Sequence, residues 1–154
     1  MTRREVLAGL VMVPTGFVGY RALAASDKRS ELNLTVSTDG DLLAFKPVEL
    51  TCTAGALVHL TFFHTGKYIR QDHDWVLTMP GAADVVAQAG LAAGESAGYL
   101  AQGDRRVLAA TKMCGKGEHV SVDFTAPAPG DYPFICTYPG HAAFMHGVLH
   151  VTAH

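Results

Sequence analysis

The chain has 154 residues, a length that fits a single domain with a hydrophobic core of its own. Charged side chains make up 17% of the residues, the formal net charge is −2, and no basic block is long enough to track a phosphate backbone. These values exclude nucleic acid as an expected partner.

Residues 1–25 differ in kind from the rest of the chain. Arg3 and Arg4 precede an apolar run and then small residues, which is the pattern of an export signal peptide. The stretch T-R-R-E-V-L also resembles the twin-arginine signal of bacteria, which implies export of an already folded protein. We expect cleavage after Ala24 and a periplasmic product. The alternative is an anchor on the outer face of the inner membrane, but the apolar run of residues 6–20 is short for a bilayer span.

The remaining sequence alternates between short apolar runs and turns. Residues 26–38 predict a polar linker followed by the start of the first strand, and residues 39–154 predict the main domain. Turn signals such as T-D-G, P-A-P-G-D and Y-P-G separate the runs. This pattern predicts an all-β sandwich or barrel. The runs after the first strand are L-L-A-F-K-P-V-E-L-T-C-T, A-L-V-H-L-T-F-F, D-W-V-L-T-M, R-R-V-L-A-A-T-K, H-V-S-V-D-F-T, Y-P-F-I-C-T and G-V-L-H-V-T.

One stretch departs from the strand pattern. Between Pro80 and Gly94 the sequence P-G-A-A-D-V-V-A-Q-A-G-L-A-A-G is rich in alanine and has Asp84 near its start. Alanine is the best helix former, and an acidic side chain stabilises a first helical turn. We therefore predict a short helix or two inserted between strands.

The segment C-T-Y-P-G-H-A-A-F-M, from Cys136 to Met145, carries a thiol, an imidazole and a thioether in one loop. Cys136 follows an apolar strand, and the Pro-Gly turn reverses the chain so that His141 can return towards the thiol. About one helical turn then separates His141 from Met145, which can direct the thioether to the same point. These soft and borderline donors are ligands that copper prefers over hard oxygen.

A copper site of this kind needs a second imidazole, and His73 in Q-D-H-D-W-V-L is the candidate. It lies directly before an apolar strand, and loops from distant strands cluster at one end of a β-sandwich. Two histidines, one cysteine and a weak axial methionine form the copper set used for electron transfer. Each residue taken singly is more simply a core or surface side chain. The spacings from Cys136 to His141 and from His141 to Met145, taken together, favour a metal site. A methionine ligand would be unusual for zinc.

These residues resemble the cupredoxin family and, within it, the azurins and auracyanins. H-D-W-V-L, G-A-A-D-V-V, T-K-M-C-G-K-G-E and C-T-Y-P-G-H-A-A-F-M resemble azurin segments in the same order, whereas D-L-L-A-F and F-T-A-P-A-P-G-D-Y look more like auracyanin. The resemblance implies an eight-stranded Greek-key β-sandwich with a short helical insertion.

The same resemblance implies a monomeric protein that carries one electron on one type 1 copper between a protein donor and a protein acceptor. It implies neither enzymatic activity nor a small-molecule substrate, because further histidine motifs for a second, catalytic copper are missing from the sequence. The alternative function is a copper-binding carrier or storage protein.

The resemblance assigns a role to each residue of the site. His73, Cys136 and His141 are the expected equatorial ligands, and Met145 is the expected axial ligand. The backbone carbonyl of Asp72 is expected to approach from the side opposite Met145.

Two further groups of residues are expected around the ligands. Asp74 and Thr137 are expected next to them, where an ionised Asp74 would lower the reduction potential. The ring of His141 is the expected electron port. Brief docking is expected at the apolar patch around the port, and Lys67, Arg70 and Gln71 around that patch predict a partner with an acidic rim. The apolar residues expected around the port are Tyr138, Pro139, Gly140, Ala142, Ala143 and Leu91.

The other two cysteines have no ligand role in this assignment. Projected on the strand pairing of the family, Cys52 and Cys114 lie too far apart for a disulfide, so we expect two reduced thiols, with Cys52 the more buried. His64 and the other histidines at alternate or terminal positions are expected on the surface.

Overall fold

The computed structural model describes residues 30–154, and the predicted signal peptide lies outside the described residues. Within these residues, nine strands, one α-helix and one short 3₁₀ helix follow one another. They are β1 (Glu31–Thr38), β2 (Phe45–Lys46), β3 (Glu49–Thr53), β4 (Leu57–Phe63), β5 (Val76–Thr78), α1 (Ala83–Ala93), the 3₁₀ helix (Glu95–Ala97), β6 (Val107–Ala110), β7 (His119–Thr125), β8 (Gly130–Ile135) and β9 (His146–Thr152).

The strands form two sheets, one with the order β2-β1-β4-β7 and the other with the order β3-β9-β8-β5-β6. The β1–β4 and β3–β9 pairs are parallel, and the other pairs are antiparallel. Neighbours within a sheet are often distant in sequence, because the chain passes repeatedly from one sheet to the other. This arrangement confirms the predicted all-β sandwich, with β2 as a two-residue strand beyond the predicted eight.

The predicted run L-L-A-F-K-P-V-E-L-T-C-T is two strands rather than one. β2 pairs with β1 in the first sheet, whereas β3 pairs with β9 in the second. Pro47 lies between them and has no N–H group to donate to a ladder. The chain therefore leaves the first sheet at this point and enters the second.

Alternate side chains of the strands fill the space between the two sheets, as in β4, where every second residue is buried. The ring of Trp75 lies 5.5 Å from the ring of Phe134 and 5.9 Å from that of Phe124. The same core cluster contains Cys136 and Met145. The close-packed core therefore holds two of the predicted ligands directly.

The predicted helical insertion is α1, which packs over the second sheet through Val86. Asp84 lies in its first turn, and the N–H of Gly94 donates to the carbonyl of Gly90 at its end. Gly90 faces the carbonyl of Tyr99 so closely that a Cβ atom at this position would overlap it. Within residues 30–154, no helix is long and apolar enough to cross a membrane.

Candidate metal centre

His73 is held by backbone pairing just before β5. Its N–H donates to the carbonyl of Cys114 at 3.1 Å, and its own carbonyl accepts the N–H of Cys114 at 2.7 Å. Two residues later, the N–H of Trp75 donates to the hydroxyl of Thr111 at 3.0 Å. These bonds fix the backbone on both sides of His73, which is 1% exposed.

The second segment is the ligand loop, residues 136–145, between β8 and β9. The N–H of Cys136 donates to the carbonyl of Met145 at 3.0 Å and closes the loop. The N–H of His141 donates to the carbonyl of Tyr138 at 3.0 Å, and the N–H of Met145 donates to the carbonyl of His141 at 2.7 Å. Gly140 has a φ of +81°, a conformation that favours glycine, so the turn before His141 depends on it.

Three donor atoms meet at one point. The Nδ1 atoms of His73 and His141 are 3.2 Å apart, and the Sγ atom of Cys136 lies 3.8 Å from the first and 3.6 Å from the second. These separations suit an ion with bonds of about 2.0 Å to nitrogen and about 2.3 Å to sulfur, the lengths known for zinc. Met145 is 0% exposed and lies in the same core cluster as Cys136.

Burial favours the neutral form of all three donors. It lowers the pKa of His73 to about 4, with further lowering by His141 and His64, and it lowers the pKa of His141 as well. Burial raises the pKa of the Cys136 thiol well above its usual value. Neutral imidazoles offer lone pairs to a metal, and a bound cation offsets the cost of a buried thiolate. The donor set therefore fits a metal ion, and its sulfur and two imidazoles match copper.

Asp74 ties the two segments of the site together. Its Oδ1 atom accepts the N–H of Thr137 at 2.6 Å, and its Oδ2 atom accepts the hydroxyl of Thr137 at 2.5 Å. Burial raises the pKa of Asp74 to about 6, against the two bonds from Thr137, which lower it. The structure thus places Asp74 and Thr137, the residues directly after His73 and Cys136, in contact with each other.

His64 is buried, and the prediction that it lies on the surface is wrong. It is 1% exposed, and its ring centroid lies 4.8 Å from that of His73. Because its Nδ1 atom accepts the N–H of Gly66 at 3.2 Å, its Nε2–H donates to the carbonyl of Gln71 at 3.0 Å. Every second residue of β4 is buried, and His64, one residue beyond the strand, continues this alternation on the same side as Phe62. This pattern could have predicted the burial of His64.

The ring of His141 lies just below the surface, with an exposure of 5%. The ring centroid of Tyr138 is 4.5 Å away. Phe144, in the same loop, is 69% exposed and was not predicted, because its apolar character alone indicates burial. The predicted docking residues share one groove with part of α1, and we call this set the docking patch: Leu91, Tyr138, Pro139, Gly140, Ala142 and Ala143.

Tyr138 also borders a second groove with more polar walls. Arg70 and Gln71, two of the predicted rim residues, line it, and Lys67 is exposed in the same loop. The carboxylates of Asp72 and Glu95 line it too, so both signs of charge occur there. We call this set the polar groove: Tyr68, Ile69, Arg70, Gln71, Asp72, Glu95 and Tyr138.

Cys52 and Cys114 are free thiols, and both are buried. Cys114 is 0% exposed and Cys52 is 4% exposed, so the prediction that Cys52 is the more buried is wrong. The reason is the backbone pairing of Cys114 with His73, which draws it under the metal end of the sandwich. Burial raises the pKa of both thiols.

Comparisons with known proteins agree with this geometry. A sequence model described as copper binding proteins, plastocyanin/azurin family, matches residues 32–152. Auracyanin-A of Chloroflexus aurantiacus is 38% identical over 120 residues, which cover 77% of this chain and 73% of that protein. Azurin of Bordetella pertussis is 47% identical over 91 residues, which cover 56% of this chain and 61% of that protein.

A solved structure is similar as well. The structure of auracyanin A, described as a blue copper protein from the photosynthetic bacterium Chloroflexus aurantiacus, superimposes with a TM-score of 0.74. The two chains are 38% identical, and the alignment covers 80% of this chain and 100% of that one.

Proposed function

Because the chain belongs to the plastocyanin/azurin family of copper-binding proteins, we propose that it carries single electrons on one type 1 copper between a protein donor and a protein acceptor. The observation that carries this proposal is the buried triangle of donor atoms from His73, Cys136 and His141. Two imidazoles and a thiolate form the equatorial set of electron-transfer copper sites.

We assign His73, Cys136 and His141 as the equatorial ligands and Met145 as the axial ligand. The separations of the three donor atoms support the first part, and the full burial of Met145 beside Cys136 supports the second. The carbonyl of Asp72, directly before His73, is proposed to approach from the opposite side. When bound, copper supplies the one-electron change between Cu(I) and Cu(II).

The chain keeps these donors in place while the charge at the site changes. Backbone pairing with Cys114 fixes His73, hydrogen bonds close the ligand loop, and the Asp74–Thr137 contact joins the two segments. A close-packed interior deforms little, so the donors retain their separations in both oxidation states. Small rearrangement favours fast electron transfer.

The proposed route for the electron passes through the ring edge of His141. The docking patch around it is apolar and suits brief contact with a partner protein. Arg70 and Gln71 line the polar groove, which shares Tyr138 with this patch, and Lys67 is exposed in the same loop. We propose a partner whose rim is acidic.

The main alternative is a copper carrier or store, which must release its metal readily. The three donors argue against this, since His73, Cys136 and His141 are 1%, 0% and 5% exposed. The same burial leaves no open approach for a small-molecule substrate at the donors, so we propose no enzymatic activity. We also propose a monomer.

We propose that the protein works in the bacterial periplasm after export by the twin-arginine route. The support is the T-R-R-E-V-L stretch within residues 1–25 and the apolar run that follows it. An anchor on the outer face of the inner membrane is the alternative, and the mass of the protein purified from periplasm and from membranes distinguishes the two.

Two measurements on the copper-loaded protein test the proposed function. We expect fast electron self-exchange, seen as broadening of proton resonances in mixtures of the two oxidation states, together with slow copper release to a chelator. Slow self-exchange combined with ready release would favour the carrier instead.

A further inference from the structure

The loop between β4 and His73 is held by a carboxylate from another part of the chain. Asp41 lies in the turn after β1, and its Oδ1 atom accepts the N–H groups of Lys67, Tyr68 and Ile69 at 2.8, 2.8 and 3.1 Å. Successive N–H groups that converge in this way form an anion-binding concavity, which Asp41 fills from within the molecule. The bonds from Tyr68 and Ile69 lower the pKa of Asp41, so it is ionised at neutral pH.

The carboxylate of Asp41 also lies close to the backbone at Gly66. A Cβ atom on Gly66 would lie 3.0 Å from the Oδ1 atom of Asp41, so the carboxylate approaches the backbone closely. Next to it, the N–H of Thr65 donates to the hydroxyl of Thr38 at 2.9 Å, and the hydroxyl of Thr65 donates to the carbonyl of Thr38 at 2.8 Å. We call residues 66–71 the docking loop. The end of β1 and the turn after it hold the first part of this loop and Thr65 before it.

The docking loop presents two side chains next to the electron port. Tyr68 is 84% exposed, and Arg70 is exposed two residues later. Both line the polar groove together with Tyr138, whose ring contacts that of His141. Asp72 and Glu95 line the same groove, so Arg70, the one cation among its lining residues, is the group there that can pair with a carboxylate. Tyrosine and arginine are enriched at the residues that contribute most to protein interfaces, and a large aromatic ring this exposed gains burial only from a partner.

We propose that Asp41 is a positioning residue, which preforms the docking loop so that Tyr68 and Arg70 bind a carboxylate-bearing segment of the redox partner beside Tyr138. This inference rests on the proposed electron-transfer function and names the chemistry of the partner. Arg70 would pair with the carboxylate of that segment, and the ring of Tyr68 would pack against its apolar atoms. A loop that is already ordered loses little conformational entropy on binding.

A small anionic reductant tests the charge that the docking loop presents. Hexacyanoferrate(II), a tetra-anion, gives one electron to Cu(II) and leaves Cu(I) and hexacyanoferrate(III), and stopped-flow absorption follows the rate. At low ionic strength we expect Arg70→Gln to slow this reaction by roughly threefold to tenfold, because it removes a positive charge near the port. A rate for Arg70→Gln equal to that of the unaltered protein would overturn the inference.

Variants of Asp41 separate positioning from simple charge. Asp41→Ala removes a negative charge, which by itself would speed the reaction with an anion. We nevertheless expect the reaction to be slower by about twofold, because the N–H groups of residues 67–69 lose their common acceptor and the loop no longer keeps Arg70, the next residue, in place. Asp41→Asn keeps an oxygen acceptor, so its rate of reduction should be closer to that of the unaltered protein. The matched control is Asp39→Ala near the same turn, whose carboxylate pairs with the exposed side chain of Lys46, at 3.2 Å. This variant should speed the reaction slightly.

Amide hydrogen exchange supplies a readout that does not depend on copper. We expect Asp41→Ala to speed exchange at Lys67, Tyr68 and Ile69 by about tenfold or more, Asp41→Asn to have a smaller effect, and Asp39→Ala to have none. Unchanged exchange in Asp41→Ala, or a faster reduction as in Asp39→Ala, would overturn the positioning role. Failure of the unaltered protein to accept an electron at all would instead refute the proposed function.

Discussion

Replacing Asp74 with asparagine should raise the reduction potential of the copper centre. Asp74 is 1% exposed and accepts both the N–H and the hydroxyl of Thr137, at 2.6 and 2.5 Å. Asparagine has nearly the same shape and keeps one oxygen acceptor, while the hydroxyl of Thr137 can rotate to accept from the new NH₂ group. The substitution therefore removes the charge with little change in structure.

The sign and size of the effect follow from electrostatics. An ionised Asp74 favours Cu(II), which carries one more positive charge than Cu(I), so the carboxylate lowers the potential. A unit charge about 7 Å away, at an effective dielectric constant of about 20, contributes about 2.4 kcal/mol. For a one-electron couple this energy corresponds to about 100 mV. We expect a rise of up to this size at pH 8, where Asp74 is ionised.

Cyclic voltammetry at two pH values provides the assay. Burial raises the pKa of Asp74 to about 6, and a bound cation shifts it downwards, so the carboxylate becomes protonated as the pH falls below this range. The potential of the unaltered protein should then approach that of Asp74→Asn at about pH 4.5. The control is Asp131→Asn, an equal change of charge on the exposed face of β8, which should shift the potential far less. An unchanged or lowered potential in Asp74→Asn would refute the reasoning.

Two further predictions concern the thiol ligand and the core. Because burial raises the pKa of Cys136 well above its usual value, uptake of Cu(II) releases the thiol proton, and the apparent affinity should rise about tenfold per pH unit between about pH 6 and pH 8; competition with a chelator measures this, and a flat profile would speak against a thiolate ligand. Trp75 is the single tryptophan and is 0% exposed, and within residues 30–154 its indole N–H has no hydrogen-bond partner. Its fluorescence should therefore lie at short wavelength in the folded protein and move to longer wavelength on unfolding in guanidinium, whereas the emission of a water-exposed indole in the folded state would contradict this burial.

Local sequence patterns were sufficient for the strands and for the ligand loop. Period-two alternation predicted β4, β7 and β9 because one face of each strand is buried. The fixed spacing from Cys136 to His141 predicted their proximity, since a Pro-Gly turn lies between them. Alternation could not show that β2 and β3 belong to different sheets, because Pro47 interrupts pairing without changing the apolar pattern.

Contacts between distant segments could not be predicted in this way. Asp41 accepts the N–H of Tyr68, 27 positions later, and nothing near Asp41 in the sequence marks it as an acceptor. The burial of His64 depends on its position just beyond the end of β4, where a strand assignment stops but the alternation continues. The missed role of Asp41 and the wrong surface prediction for His64 both concern contacts made by loops rather than by strands.

The most direct test of the copper site is a titration with Cu(II), followed by visible absorption and electron paramagnetic resonance. We predict one copper per chain, an intense blue absorption and narrow hyperfine splitting, all of which require a Cu(II)–thiolate bond. Cys136→Ser should lose the blue absorption, whereas Cys52→Ser, a matched change of a buried thiol in β3, should keep it. A protein that stays colourless at saturating Cu(II), or a Cys136→Ser variant that remains blue, would contradict the assignment of Cys136 as the thiolate ligand.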